Sequence, residues 1–202
     1  MLFLAILFTD IGTNMKDFLV VKKFITEEQC VQLRDKIDLF LYNGWSIRDE
    51  QCPTSPSFYG IFNDESLAFL PFIEELTGKQ LYPTYTYARL YRSNELLLPH
   101  KDRDECEYSF TLSIKTDKDT WPFYLETDNG IEEILLNDGD MLIYKGVKNL
   151  HWRMRFENQY QYQAFFHYVD KDGPYADKKY DSKDHFLSTE EAVEDLRIQN
   201  VL

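Results

Sequence analysis

The chain has 202 residues, long enough for one domain that buries roughly 70% of its unfolded surface without disulfide staples. Its 22 basic and 35 acidic residues leave a formal charge of −13, the wrong sign for neutralising nucleic-acid phosphates or anionic lipid. Hydrophobic residues at 44% and aromatics at 16% exclude a mostly disordered chain.

In chain order, residues 1–14 open with an apolar run that is too short to span a bilayer. The run lacks the basic flank and cleavage site of a secretory signal. It reads as a leader, with Met15 as an alternative start. Asp17 to Phe24 (DFLVVKKF) reads as a strand. Thr26 and Gln29 have the spacing of a capping box, and Cys30, Leu33, Ile37, Phe40 and Leu41 follow at helical intervals until Gly44. A loop with Pro53 and Pro56 comes next. A second helix is predicted from Asp64 to Thr77, closed by Gly78 and kinked or split at Pro71.

From about Gln80 short aromatic and β-branched runs alternate with turns. The runs are Thr84 to Arg92, Glu107 to Lys115, Pro122 to Glu126, Glu132 to Leu136, Met141 to Tyr144, Leu150 to Phe156 and Gln161 to Val169. Asp128-Asn129-Gly130 and Asn137-Asp138-Gly139-Asp140 punctuate them. Gly173 to Lys183 reads as a charged surface loop, and a capping box from Ser188 to Glu191 opens a short final helix. The pattern is α+β, with helices on one face of an antiparallel sandwich or barrel. Residues 15–202 read as a single domain: helical support over 15–80, a β core over 81–170 and an extension over 171–202.

The three cysteines, Cys30, Cys52 and Cys106, form no CxxC, so neither a disulfide framework nor a cysteine zinc site is expected. A reducing, cytoplasmic setting fits them. Of four histidines, His100 stands two residues before Asp102 and His151 begins a predicted strand about fifty residues on. An HxD is common by chance. With a second distant histidine it makes two imidazoles and one carboxylate, the facial triad that leaves half the sphere of a non-haem Fe(II) open.

The chain resembles the Fe(II)/2-oxoglutarate-dependent dioxygenases of the prolyl-4-hydroxylase-like branch. The resemblance is carried by DFLVVKKFITEEQC (Asp17 to Cys30), YARLYRSNELLLPHKD (Tyr87 to Asp102), GDMLIYKGVKNLHW (Gly139 to Trp152) and QYQAFFHY (Gln161 to Tyr168). It implies a double-stranded β-helix, or jelly-roll, with His100, Asp102 and His151 on iron and Tyr91 against 2-oxoglutarate. It implies dioxygen as co-substrate and allows ascorbate as an auxiliary reductant. It also implies hydroxylation of a C–H bond, of a prolyl residue in a peptide or of a small molecule, with release of succinate and carbon dioxide.

One departure is plain. The family's cation about ten residues after the second histidine is here Gln161. A buried carboxylate needs a charged partner. The substitutes, in order, are Arg153 (sharing strand parity with His151), Lys115 at the close of the strand after HxD, and Arg89 (sharing parity with Tyr91). The missing cation keeps open a jelly-roll metal enzyme that does not use 2-oxoglutarate, or a non-catalytic binding module. His167 reads as a hydrogen-bonded core histidine rather than a ligand, and Arg103 as a loop anchor pairing with Asp104, Glu105 or Glu107, or reaching substrate at the mouth. Expected partners are a peptide or small molecule, with no nucleic acid and no membrane. Oligomeric state is not legible.

Overall fold

The computed structural model describes residues 17–199 and 201, so the leader expected over 1–14 lies outside the described residues. Two helices and two strands precede the β block: β1 (Phe18–Val21), α1 (Glu27–Tyr42), β2 (Ser57–Tyr59) and α2 (Asn63–Thr77). The β block contains β3 (Leu81–Arg92), β4 (Leu97–His100), β5 (Tyr108–Thr116), β6 (Phe123–Thr127), β7 (Gly130–Ile134), β8 (Met141–Tyr144), β9 (His151–Arg153) and β10 (Tyr160–Asp170). The helix α3 (Thr189–Ile198) is the last element among the described residues.

Both capping boxes form, at Thr26–Gln29 and Ser188–Glu191, and Gly78 caps α2 in the left-handed conformation. Pro71 does not split α2. Its ring removes one intrahelical bond, to the carbonyl of Leu67, and Leu67 is exposed where water can serve that carbonyl. The unanticipated strands, β2 and β4, are three and four residues long. Each lies at the edge of its sheet, β2 directly after Pro56 and β4 carrying Pro99, where a missing N–H is tolerated.

The strands form two antiparallel sheets, ordered β1-β8-β5-β10-β3-β2 and β4-β9-β6-β7. The chain crosses between them at almost every step: β3 lies in the larger sheet, β4 in the smaller, β5 in the larger, the β6–β7 hairpin in the smaller, then β8, β9 and β10 alternate again. This winding is the jelly-roll.

Strand parity explains where the core and the site lie. Phe110, Leu112, Ile114, Ala164, Phe166 and Tyr168 point out of the larger sheet into the main core with Leu33, Ile37, Phe40, Phe69 and Ile73 of α1 and α2. The alternate positions face the smaller sheet and are polar: Ser109, Thr111, Gln163 and His167 are all buried. Gln161 donates to Gln163, which donates to Thr111, both at 2.6 Å. A sheet with hydrocarbon on both faces would have no room for chemistry. Here the helices supply the hydrophobic burial, and the inner face is left free to carry donors and acceptors.

The Gly139-Asp140 turn ties this sheet to the β1–α1 corner. Gly139 has φ +84°, and a Cβ there would stand 2.6 Å from the Ile25 carbonyl. Asp140 accepts from Lys23 N–H, Asn137 N–H and Lys22 Nζ, each at 2.9 Å. Burial alone would raise its pKa, but these three donors hold the carboxyl below the usual carboxylate range. A depressed folded pKa stabilises the fold above about pH 4 and loses that contribution as pH falls through the folded value. Asp140→Asn should therefore cost about 1–3 kcal/mol in urea unfolding at pH 7 and progressively less as pH falls through the folded value. A loss that stays constant as pH falls would refute the assignment.

Candidate metal centre and co-substrate pocket

His100 ends β4 and His151 begins β9, and the two residues are cross-strand partners in the smaller sheet. Their rings lie with centroids 4.2 Å apart. Each Nδ1 is 2.9 Å from the carbonyl two residues earlier, Leu98 for His100 and Asn149 for His151. These contacts place the proton on Nδ1 and leave the Nε2 lone pair free, the arrangement metal-ligating histidines use. Asp102 lies beyond the end of β4, so strand pleating does not position it. Its N–H donates to the Gly146 carbonyl at 3.0 Å, and its Oδ2 accepts from Ser109 at 2.9 Å. Oδ1 then stands 3.6 Å from His100 Nε2 and 3.4 Å from His151 Nε2.

Gly146 makes this placement possible. A Cβ there would stand 2.2 Å from Asp102 Oδ2, 2.5 Å from Ser109 Oγ and 2.7 Å from the Cys106 carbonyl. Burial would push the Asp102 carboxyl up, but the imidazoles of His100 and His151 that face it outweigh burial and hold the group ionised. For His100, burial is outweighed by Asp102 and the Leu98 carbonyl, which raise its pKa. The three ligand atoms are a convergent N, N, O donor set for a divalent ion.

The triad opens into a cavity of about 300 Å3 whose wall includes Tyr91, Arg89, Arg153 and Phe123. Arg153 shares the face of His151 on β9, as parity predicts, and is 2% exposed. Its Nη1 donates to the Trp121 carbonyl, and its guanidinium lies over the Trp121 and Phe123 rings at 4.7 and 5.3 Å. It pairs with no carboxylate among the described residues, and its Nη2 has no hydrogen-bond partner. Burial lowers its pKa to about 10, so it remains a cation at neutral pH. A buried cation with an unused donor is a costly arrangement in the absence of an anion. Tyr91 stands edge-on to Trp121 at 4.9 Å, and its hydroxyl accepts from Arg89 at 3.2 Å. These side chains fit a ligand carboxylate.

Arg89 lines the same cavity but already has its anion: Nη2 lies 2.6 Å from Asp49 Oδ2, and its other donors reach Ser57, Cys52 and Tyr91. Lys115 is a correction to the sequence expectation. Gln163 pairs with Ser113 and Tyr162 with Lys115, so β5 carries one extra residue there. That bulge reverses the parity of Lys115. It shares the outer face with Tyr162, which reaches Asp38 of α1, and its ammonium is held by Asp138 at 2.6 Å, away from the cavity.

Arg103 lines the cavity and bonds Asp181 at 2.9 Å rather than Asp104 or Glu107, with Glu105 at 3.6 Å. Asp181 comes from the expected surface segment, where Tyr180, Asp181 and Ser182 all take positive φ. His167 is buried beside Ser109 at 3.1 Å with its ring tilted against that of Tyr85, and burial lowers its pKa to about 4. Trp152 faces outward and stacks on Tyr124.

No family model matches the sequence, and no curated protein matches it. Solved structures do match. The chain superposes on a prolyl-4-hydroxylase from Pseudomonas putida with a TM-score of 0.64 at 9% identity, over 77% of this chain and 94% of that one. This is the fold of the Fe(II)/2-oxoglutarate oxygenases. HygX from Streptomyces hygroscopicus, solved with nickel and 2-oxoglutarate bound, gives 0.64 at 11% identity, over 78% and 84% of the two chains. A prolyl hydroxylase from Trichoplax adhaerens, in complex with a hypoxia inducible factor peptide fragment, gives 0.66 at 11%, over 78% and 85%. Structures of this fold are solved with chemically different molecules bound, a peptide fragment in one and hygromycin B in another, so the likeness fixes the scaffold and leaves substrate to the site.

No helix among the described residues is long and apolar enough to cross a membrane, and the three cysteines are free.

Proposed function

We propose that the protein is an Fe(II)/2-oxoglutarate-dependent oxygenase that hydroxylates a C–H bond of a peptide or small molecule. The carrying observation is the pairing of an open-faced His100–Asp102–His151 donor set with a buried, uncompensated Arg153 in one cavity. When bound, ferrous iron with 2-oxoglutarate and dioxygen supplies the oxidising power, releasing succinate and carbon dioxide.

The chain's own residues do the rest. His100 and His151 offer Nε2 because Leu98 and Asn149 hold their Nδ1 protons. Ser109 and Gly146 fix Asp102 so that Oδ1 faces the same point. Arg153 takes the distal carboxylate of 2-oxoglutarate, assisted by the Tyr91 hydroxyl, and the Trp121 and Phe123 rings exclude water from that contact. The arginine thus acts from β9 where the family uses a cation at the position of Gln161. Tyr85 and Arg103, which line the same cavity, meet the substrate. The Trichoplax enzyme's peptide complex supports a peptide as first candidate, and HygX, solved with hygromycin B bound, supports a small molecule.

The test is 2-oxoglutarate-dependent succinate release against a panel of prolyl peptides, free amino acids and aminoglycosides. Stimulation by one class, lost in His151→Ala, is the expected result. Iron and 2-oxoglutarate binding with no stimulation by any class would reject these substrates. Absence of iron binding would reject the oxygenase itself.

A further inference from the structure

Asp102 has two faces. Oδ1 looks toward His100 and His151, whereas Oδ2 bonds Ser109. On that second side stand Cys106 and His167, and one ligand atom from each of Asp102, Cys106 and His167 lies within 4.8 Å of the others. Three separate elements deliver them: the loop after β4, the short turn Asp104–Cys106 and strand β10. Cys106 and His167 are 1% and 5% exposed, yet both line the cavity. A buried thiol ordinarily packs as a small hydrophobe. Here Cys106 Sγ is 3.1 Å from the Tyr85 hydroxyl, and His167 Nδ1 is 3.1 Å from Ser109 Oγ. Both side chains thus have polar neighbours, and neither Cys106 nor His167 takes part in the proposed oxygenation.

We infer that Asp102, Cys106 and His167 form a second divalent-metal site, suited to a thiophilic ion of the zinc type, with Asp102 as the bridge to the first. The donor sets differ in softness. Thiolate, imidazole and carboxylate suit zinc, whereas two imidazoles and a carboxylate without sulfur suit ferrous iron. Zinc–ligand bonds of 2.0–2.3 Å place ligands about 3.5 Å apart. Side-chain rotation of Cys106 and His167 by about 1 Å closes the set, and the metal replaces the Ser109 hydroxyl at Oδ2. The thiol proton leaves to water as the sulfur binds the ion. The fourth position faces the cavity beside Tyr85. An ion seated there fills the approach to the triad and draws on the charge of Asp102, so it inhibits the oxygenase. The site shares Asp102 with the proposed iron centre but needs neither 2-oxoglutarate nor His100.

Anaerobic titration of the full chain with cobalt(II) tests this. The expected result is two equivalents bound per chain, one of them with near-ultraviolet thiolate-to-cobalt absorption. Cys106→Ser and His167→Gln, made separately, should each lose that absorption and drop to one equivalent. His100→Ala should keep the absorption and lose the other equivalent. One equivalent without thiolate absorption in the native chain would overturn the second site and leave the triad intact. Absorption that survives Cys106→Ser would assign it to Cys30 or Cys52 and overturn the site as well. A native chain that binds only the thiolate-marked ion would uphold this site and remove the proposed iron centre.

Discussion

Gly146→Ala should cut divalent-metal affinity at the His100–Asp102–His151 centre by about 10- to 100-fold, while the helical half stays folded. Position 146 lies where the β8–β9 connection passes over the metal loop, and its carbonyl receives the Asp102 N–H at 3.0 Å. A methyl group there would sit within 2.2–2.7 Å of three oxygens, two of which define the orientation of Asp102. None of the three can yield cheaply. One is the metal-binding carboxylate, one is the hydroxyl that aims it, and one is backbone. Overpacking of this kind costs about 1–3 kcal/mol, which a chain of this size survives. The affinity loss should thus appear by calorimetry in a variant whose far-ultraviolet circular dichroism is unchanged. Native-like affinity would mean that Asp102 is held in another way.

Arg153→Met should produce effects of opposite sign on two properties. Loss of a buried charge-assisted contact costs about 2–5 kcal/mol, so 2-oxoglutarate affinity should fall by roughly 30-fold to several thousandfold. The same substitution removes a cation that no carboxylate among the described residues balances and whose Nη2 is unpartnered. Exchanging a buried charge for a hydrophobic side chain of similar volume is commonly neutral or stabilising. The apoprotein's Tm should therefore be unchanged or higher. Lys115→Ala is the control: its ammonium is engaged by Asp138 on the outer face, so co-substrate affinity should not move. Equal loss of stability and affinity in Arg153→Met would make Arg153 a packing residue. A fall in affinity for Lys115→Ala would restore it as the anchor.

Much of this was legible in residue order because it rests on local periodicity. Thr26 with Gln29, and Ser188 with Glu191, are short-range capping patterns that need no tertiary partner. The alternation along β10 places Phe166 outward and His167 inward, and the pleat alone determines that. His100, Asp102 and His151 stood out because few side chains bind iron and their types and framing agreed. The parts that were not legible depend on contacts distant in sequence. Lys115 is a candidate from its place at the close of the strand after HxD, and one extra residue in β5, invisible in residue order, turns it to the outer face. Nothing near Gly146 in sequence marks it, because the atoms it must avoid belong to Asp102, Cys106 and Ser109. Strands β2 and β4 escaped notice because proline and brevity signal a loop, and only pairing with β3 and β9 makes them strands. Arg153 was found by parity with His151, but its lack of an acidic partner emerges only once the surrounding Trp121, Phe123 and Tyr91 are in place.

The most direct measurement is the visible absorption of the full chain under anaerobic conditions as 2-oxoglutarate is added to the Fe(II)-loaded protein. A weak charge-transfer band should appear in the native chain, persist in Lys115→Ala, and be absent at the same co-substrate concentration in Arg153→Met and in His151→Ala. Iron uptake by the native chain with no band at saturating 2-oxoglutarate would contradict the pairing of the triad with Arg153 and leave a metalloprotein of some other chemistry on the same fold.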